Sequence, residues 1–262
     1  MPLGSRATAV RPGSRTPDSC DDSNTEHRTP NTENFFRMET SLHRQLKSLY
    51  GGVETQQEVW VDGVRIDVIG KRNRLVEIQA SPLAAIRKKV RTLLVNHSVL
   101  VVKPLAARKY LVNRACAGGE IESSRLSPSR QTLYHVFHEL VHFIDVFPHP
   151  RLTIEVLLIE VEEHRLPATR RWRRKTYRVE DRLLRCVSKR ISLKKPADLR
   201  RMLPAELKAV FSTEELALAA AIPRWLAQKM AYCLRKTGVI APVGKLGNAI
   251  LYSRAAPRKK AA

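Results

Sequence analysis

Acid is scarce in this chain. Against 47 Lys and Arg stand 25 Asp and Glu, giving a formal net charge of +22. A charge of that size speaks of partners rather than of fold. Nucleic acid is the first candidate, because Lys and Arg contacts to phosphate dominate its binding; an anionic membrane surface is the alternative. Cysteine chemistry is also thin. Cys20, Cys116, Cys186 and Cys233 are scattered, with no CxxC pair. That argues against a cysteine zinc site or a disulfide framework and suits a reducing compartment. No apolar run approaches the ~20 residues of a membrane span. No apolar segment with a cleavage site follows Met1, so a cytoplasmic, nucleoid-associated location with no membrane partner is expected. Residues 1–33 have almost no large apolar side chains and are expected to be a disordered extension.

What is present is a core. Hydrophobic residues make up 43% of the chain, enough for one large domain or two small ones. Apolar spacing through Phe35, Leu42, Leu46 and Leu49 predicts a helix over 34–50, with Glu39 on the same stripe. Strands are expected at 57–61, 64–69 and 74–79. A helix over 82–96 follows, headed by Pro82 after Ser81. A fully apolar strand at 98–103 completes the series. That order implies an α/β sheet with a crossover. Further on, a helix is expected at 131–147, a strand at 153–161 and a short helix at 180–189. The loop 168–175 contains Arg170-Arg171-Trp172-Arg173-Arg174-Lys175, basic residues around one stacking ring, as suits a phosphate track.

Asp67 lies mid-strand in Val64-Arg65-Ile66-Asp67-Val68-Ile69, and Glu77 and Gln79 lie in Leu75-Val76-Glu77-Ile78-Gln79. Carboxylates inside an apolar hairpin are costly to desolvate unless something pairs with them, and a divalent metal is one such partner. Glu77 and Gln79 share a face. Asp67 stands beside Glu77 only if the connection is odd. A three-residue loop Lys71-Arg72-Asn73, with Asn73 left-handed, achieves this. A two-residue turn would put the two acids on opposite faces and leave a surface hairpin with solvated acids.

The C-terminal segment has its own pattern. A short helix is expected at 204–210. Ser212 with Glu215 forms a capping box for a second, and Ala221-Ile222-Pro223 opens a third through Lys236, ended by Gly238. Two short strands flank Gly244-Lys245-Leu246-Gly247-Asn248. This is a winged helix-turn-helix pattern. In its third helix Leu226, Met230 and Leu234 face inward, while Arg224, Gln228, Lys229, Tyr232, Arg235 and Lys236 face outward. Arg and Gln read base edges, and Lys positions on phosphate. Lys245 at the wing tip suits phosphate or minor groove. A protein-binding winged helix is the competing reading. The expected organisation is therefore an extension at 1–33, an α/β domain at 34–200, a winged-helix domain at 201–254 and a basic tail at 255–262.

Over residues 34–104, Glu39, Asp67, Glu77 and Gln79 on helix-strand-strand-strand-helix-strand resemble the PD-(D/E)XK nuclease superfamily, with its restriction-endonuclease-like fold. The resemblance implies that Asp67, Glu77 and the carbonyl of Ile78 hold Mg²⁺, or Mn²⁺, with Glu39 behind those ligands or on a second metal. It implies a DNA endonuclease hydrolysing phosphodiester bonds, the metal lowering the pKa of a bound water and stabilising phosphate charge. Ile66 replaces the family's Pro. Gln79 replaces its usual Lys, so Gln79 would orient the water but carries no charge. Lys88 and Lys89 could swing in as a displaced lysine; a solvated basic face is the plainer reading. DNA would be held by Arg224, Gln228, Lys229, Arg235, Lys245, Arg171, Arg173 and Arg174. RNA stays open as a substrate, and a homodimer would supply the two active sites that cutting both strands needs.

Two alternatives remain. One is a non-catalytic DNA-binding regulator on a decayed nuclease core. The other is a zinc hydrolase through His138-Glu139-Leu140-Val141-His142, which matches H-E-x-x-H. Against the latter, His138 and His142 fall opposite the apolar stripe, no third ligand has a motif, and a zinc peptidase gives no reason for the charge.

Overall fold

A computed structural model describes residues 39–51, 57–168 and 176–255. The expected extension at 1–33, residues 34–38, and Arg171, Trp172, Arg173 and Arg174 lie outside the described residues; the first helix starts at Ser41 after an extended Thr40 cap, so Glu39 precedes it rather than riding its stripe.

Val- and Ile-rich segments build a large mixed sheet flanked by helices. In chain order, α1 (Ser41–Tyr50) precedes β1 (Gln57–Val61), β2 (Val64–Gly70) and β3 (Arg74–Ile78). A helical turn at Leu83–Ile86 runs into α2 (Arg87–Leu93), followed by β4 (Val99–Arg114) and β5 (Ile121–Leu126). Then come α3 (Val136–Leu140), β6 (Leu152–Pro167) and β7 (Tyr177–Leu193). The strand order is β1-β2-β3-β4-β6-β7, with β5 on β4. β1 to β3 form an antiparallel meander, and β3, β4 and β6 are mutually parallel, so α2 is the crossover. β4 is long enough to pair with β3 along its first half and with β5 along its second.

The remainder is α4 (Pro196–Arg200), β8 (Val210–Phe211), α5 (Thr213–Ala219), α6 (Arg224–Lys236), β9 (Ile240–Leu246) and β10 (Ala249–Arg254). The last strands form a small antiparallel sheet, β8-β10-β9. The Ser212–Glu215 capping box starts α5 as expected, and Gly238, with φ +70°, stands just past α6.

Several expectations need correction. The helix over 180–189 is absent; the segment belongs to β7, paired along β6 with register shifts at three places. Each shift breaks the two-residue alternation, so Leu183, Leu184 and Val187 carry a false helical spacing. The short helix at 204–210 is also absent. A helix forms earlier instead, where Asp198 Oδ2 accepts from the backbone N–H of Lys194 and Lys195 and Pro196 opens α4. The helix over 131–147 shrinks to α3 with flanking turns, because bonding tightens to i→i+3 at His142, Phe143 and Val146. The helix over 82–96 begins with a 3₁₀ turn.

The sheet has an apolar core on each face. The larger joins Leu75, Val99, Val101 and Ile154 to Leu83, Val90, Phe137 and Phe143, and continues without a break into Leu216, Leu226, Met230 and Leu234. The smaller lies under α1 and joins Leu42 and Leu46 to Val68, Val76, Ile78, Leu100 and Val102.

Candidate functional site

The hairpin register is the odd one. Gly70 pairs with Arg74, Ile69 with Leu75 and Val68 with Val76, which brings Asp67 and Glu77 to the end of the paired ladder. The connection is Lys71–Asn73, with Arg72 at φ +58° and Asn73 at φ +57°. At Asp67 the regular pattern ends. Ile66 packs into the larger core and Val68 into the smaller, although residues two apart in a regular strand share a face. Beyond the Val68–Val76 pair, the Asp67 side chain takes the place of the ladder: the Ile78 N–H donates to Asp67 Oδ2 at 2.7 Å. A strand residue's N–H and C=O point to the same edge, so the Ile78 carbonyl faces this gap as well.

On the α1 side, Asp67 meets a charged stripe. His43 and Lys47, four residues apart, share one face of α1, and Glu39, just ahead of the extended Thr40 cap, reaches the same side. His43 Nε2 lies 3.2 Å from Asp67 Oδ2, and its Nδ1 lies 2.9 Å from Glu39 Oε1. Lys47 Nζ lies 2.6 Å from Glu39 Oε1, 2.9 Å from Glu58 Oε1 and 3.8 Å from Asp67 Oδ1. Burial alone would push the Asp67 carboxyl up. Hydrogen bonds from His43 and the Ile78 N–H, with the charges of His43 and Lys47, outweigh it and hold Asp67 below the usual carboxylate range. Burial likewise opposes the charge on Lys47, and Glu39, Glu58 and Asp67 outweigh it, so the ammonium is held above its ordinary value.

Glu77 differs. It is 6% exposed, and burial followed by the charge of Asp67 pushes its carboxyl up. Lys89 of α2, 2.6 Å from Glu77 Oε2, pulls the other way without prevailing. Lys89 therefore reaches the acid rather than standing on a wholly solvated face. Gln79 is engaged elsewhere: its Nε2 donates to the Pro82 carbonyl at 2.9 Å. The buried Lys103 secures the same turn, donating to the Ser81 carbonyl at 2.7 Å.

These residues suit a divalent cation in part. Asp67 and Glu77 are close enough for one charge to raise the other's pKa. Glu39 Oε1 is buried between Lys47 Nζ and His43 Nδ1. Among the described residues no three His, Cys, Asp or Glu side chains converge in a metal-holding arrangement. A two-carboxylate set is still what Mg²⁺ uses when waters and substrate phosphate complete its shell.

The H-E-x-x-H residues diverge. Glu139 Oε2 accepts from the Leu83 N–H at 2.9 Å, and its Oε1 lies 3.5 Å from Lys103. His138 contacts Lys229 and stacks edge-on against Trp225, while His142 is exposed. On α6, Leu226, Met230 and Leu234 are buried as expected, and Arg224, Gln228, Tyr232, Arg235 and Lys236 are exposed. Lys229 is half-buried beside Trp225, which is 45% exposed. Lys245 is exposed on the β9–β10 hairpin, between the exposed Val243 and Leu246. The expectations missed His43, Lys47 and Glu58. The first two carried a visible signal, since they continue the four-residue spacing from Glu39.

Fold and site together define a mixed α/β protein whose sheet carries a paired-acid hairpin. The chain belongs to the family described as Domain of unknown function (DUF8091), whose model matches residues 40–194. That match takes in α1 through β7 and stops before α4. The chain is also similar to an uncharacterized protein of Treponema pallidum (strain Nichols), 28% identical over 221 residues, covering 84% of this chain and 86% of the relative. That alignment is longer than the family match and everything before it combined, so it includes part of the C-terminal layer. No solved structure matches the chain.

Proposed function

We propose that the chain is a divalent-metal-dependent DNA nuclease of the PD-(D/E)XK type, with α5, α6 and the β9–β10 hairpin acting as a winged helix that holds the duplex. The observation that supports this reading is the hairpin register, with Val68 opposite Val76 and the Ile78 N–H donating to Asp67 Oδ2, which brings Asp67 and Glu77 to one end of the ladder. Asp67, Glu77 and the Ile78 carbonyl would hold Mg²⁺ or Mn²⁺. When bound, the ion supplies a lowered pKa for a coordinated water and charge stabilisation at the phosphate. Asp67, kept ionised by His43 and the Ile78 N–H, is the constant ligand. Glu77 is the adjustable one, because a cation beside it favours the charged form that burial opposes. Lys89 brings the positive charge that Gln79 lacks, and Gln79 shapes the turn into α2 rather than handling the water. Arg224, Gln228 and Arg235 on α6 and Lys245 on the hairpin would contact the duplex, giving the basic charge a use.

The test is cleavage of a panel of duplex, flap, junction and single-stranded DNA with Mg²⁺ or Mn²⁺. Cutting of one form is expected. Asp67→Ala should abolish it and leave DNA binding within about twofold. Failure to cut any form, with DNA binding intact, would move the reading to a non-catalytic DNA-binding regulator. One observation favours that second reading: each acid already has a partner in the protein, Glu39 and Glu58 at Lys47, Asp67 at His43 and Glu77 at Lys89.

A further inference from the structure

The proposed cleavage makes no use of Lys47, yet the structure surrounds it with acid. It stands on the inward stripe of α1 beside Leu42 and Leu46, and only 3% of its surface is exposed. An apolar residue there would fill the same space without burying a charge, which is expensive unless well compensated. The compensation comes from three separate elements. Glu39 arrives from the residues ahead of α1, Asp67 from β2 and Glu58 from β1. The β1–β2 register, Gln57 with Val68 and Val59 with Ile66, places Glu58 beside Asp67. Glu58 has φ +59°, a conformation uncommon outside glycine, in the middle of its strand. His43 closes the arrangement by bridging Glu39 and Asp67 through its two ring nitrogens.

We infer that Lys47 is a resident cation: its ammonium occupies the α1 side of the acid cluster, where a second divalent ion would otherwise sit. Glu39 and Glu58 then serve Lys47 rather than a metal, and the chain takes a single divalent ion between Asp67 and Glu77. A dication on the α1 side would meet the fixed charge of Lys47 within the reach of the same oxygens, and repulsion at that range is strong. Glu39 is thereby a positioning residue that holds Lys47 and His43 against Asp67. The inference rests on the metal-dependent reading, and it changes the role that resemblance alone gives Glu39.

The experiment is a Mn²⁺ titration of the full chain at neutral pH, with free Mn²⁺ read by electron paramagnetic resonance and folding checked by circular dichroism. One ion per wild-type chain is expected. Glu39→Gln should change its Kd less than threefold, whereas Asp67→Asn should weaken it at least thirtyfold. Lys47→Met should raise the count to two, and adding Glu39→Gln to that variant should remove the second ion. Because Lys47→Met leaves three acids facing one another, Lys47→Met/Glu58→Gln is titrated beside it as the better-balanced variant. Two ions in wild type, or a folded Lys47 variant still at one, would overturn the resident-cation inference and leave the nuclease reading standing. No ion in wild type would sink the nuclease reading instead. In that case a Mn²⁺ gained by the Lys47 variants supports the resident cation, and none gained overturns it.

Discussion

α1 and α6 are held to the protein by different forces. α6 turns Leu226, Ala227, Met230, Ala231, Cys233 and Leu234 into the larger core, and all are buried. Its inward stripe is apolar from end to end. α1 gives its core Leu42, Leu46 and the half-buried Tyr50; the rest of its inward side is His43 and the buried Lys47. Its further ties to β7 are polar, with the Ser41 N–H donating to Asp181 and the Leu184 N–H donating to Gln45. The apolar helix therefore contributes stability, and the charged helix contributes placement of charge around Asp67.

The largest effect that could break this contrast is on α6. Met230→Ala removes a fully buried side chain from the continuous core and should cost about 2–5 kcal/mol. Because that core runs from Leu75 and Val101 through to Leu234, denaturant unfolding should remain a single transition. Two separated transitions would show that the C-terminal layer stands alone and that α6 stabilises only itself.

On α1 the corresponding change is Lys47→Met. It keeps the volume and strands three acids without their cation. Removing one partner of a buried charge group is strongly destabilising, but Glu39 and Glu58 are partly open to water and relieve some of the loss. About 1–3 kcal/mol is expected in the same assay, with part restored by adding Glu58→Gln. A neutral result would mean that α1 is held by Leu42, Leu46 and Tyr50 after all.

The contrast also marks how much the sequence disclosed. α6 was legible because Leu226, Met230 and Leu234 follow one helical stripe and Pro223 and Gly238 punctuate its ends. The hairpin register was legible because Asn73 and the loop length fix it. Glu39 was visible as an acid on a core stripe, but its partners were not, since the spacing to His43 and Lys47 says that they share a face and not what that face meets. Glu58 depends on a backbone turned to φ +59°, which no residue type announces. Residues 180–189 of β7 carry a helical spacing because its bulges erase the alternation that marks a strand. Gln79 could not be assigned to Pro82 without the turn between them.

A finer test separates the two acids of the hairpin by pH. Asp67 titrates below its ordinary range in the folded chain, so its ionisation contributes stability that is present above the unfolded carboxylate pKa and lost as pH falls through the folded value. Glu77 titrates above its ordinary range; its contribution is present below the unfolded pKa and is lost as pH rises through the folded one. Asp67→Asn should therefore lower the melting temperature near neutrality and matter little in strong acid. Glu77→Gln should raise the metal-free melting temperature near neutrality relative to wild type. Thermal melts between about pH 3 and pH 7 check both signs. Equal slopes for the two variants would mean that Asp67 and Glu77 share one environment.

The smallest expected effect lies at the tip of the β9–β10 hairpin. Lys245 is exposed and has apolar neighbours, Val243 and Leu246, so it has a charge to offer phosphate and no fixed partner among the described residues. Lys245→Ala should weaken DNA binding about equally for all sequences and reduce the salt slope of log Kd by about 1. Arg224 and Arg235, exposed on the third helix of this layer, should each do more, because a guanidinium can engage base edges as well as phosphate. Lys229 should do less than either, since its ammonium already lies against His138 and the Trp225 ring. Fluorescence anisotropy across a salt series ranks the four. If Lys229→Ala alone moves the curve, the duplex contacts the α3–α6 seam and not the outward face of α6.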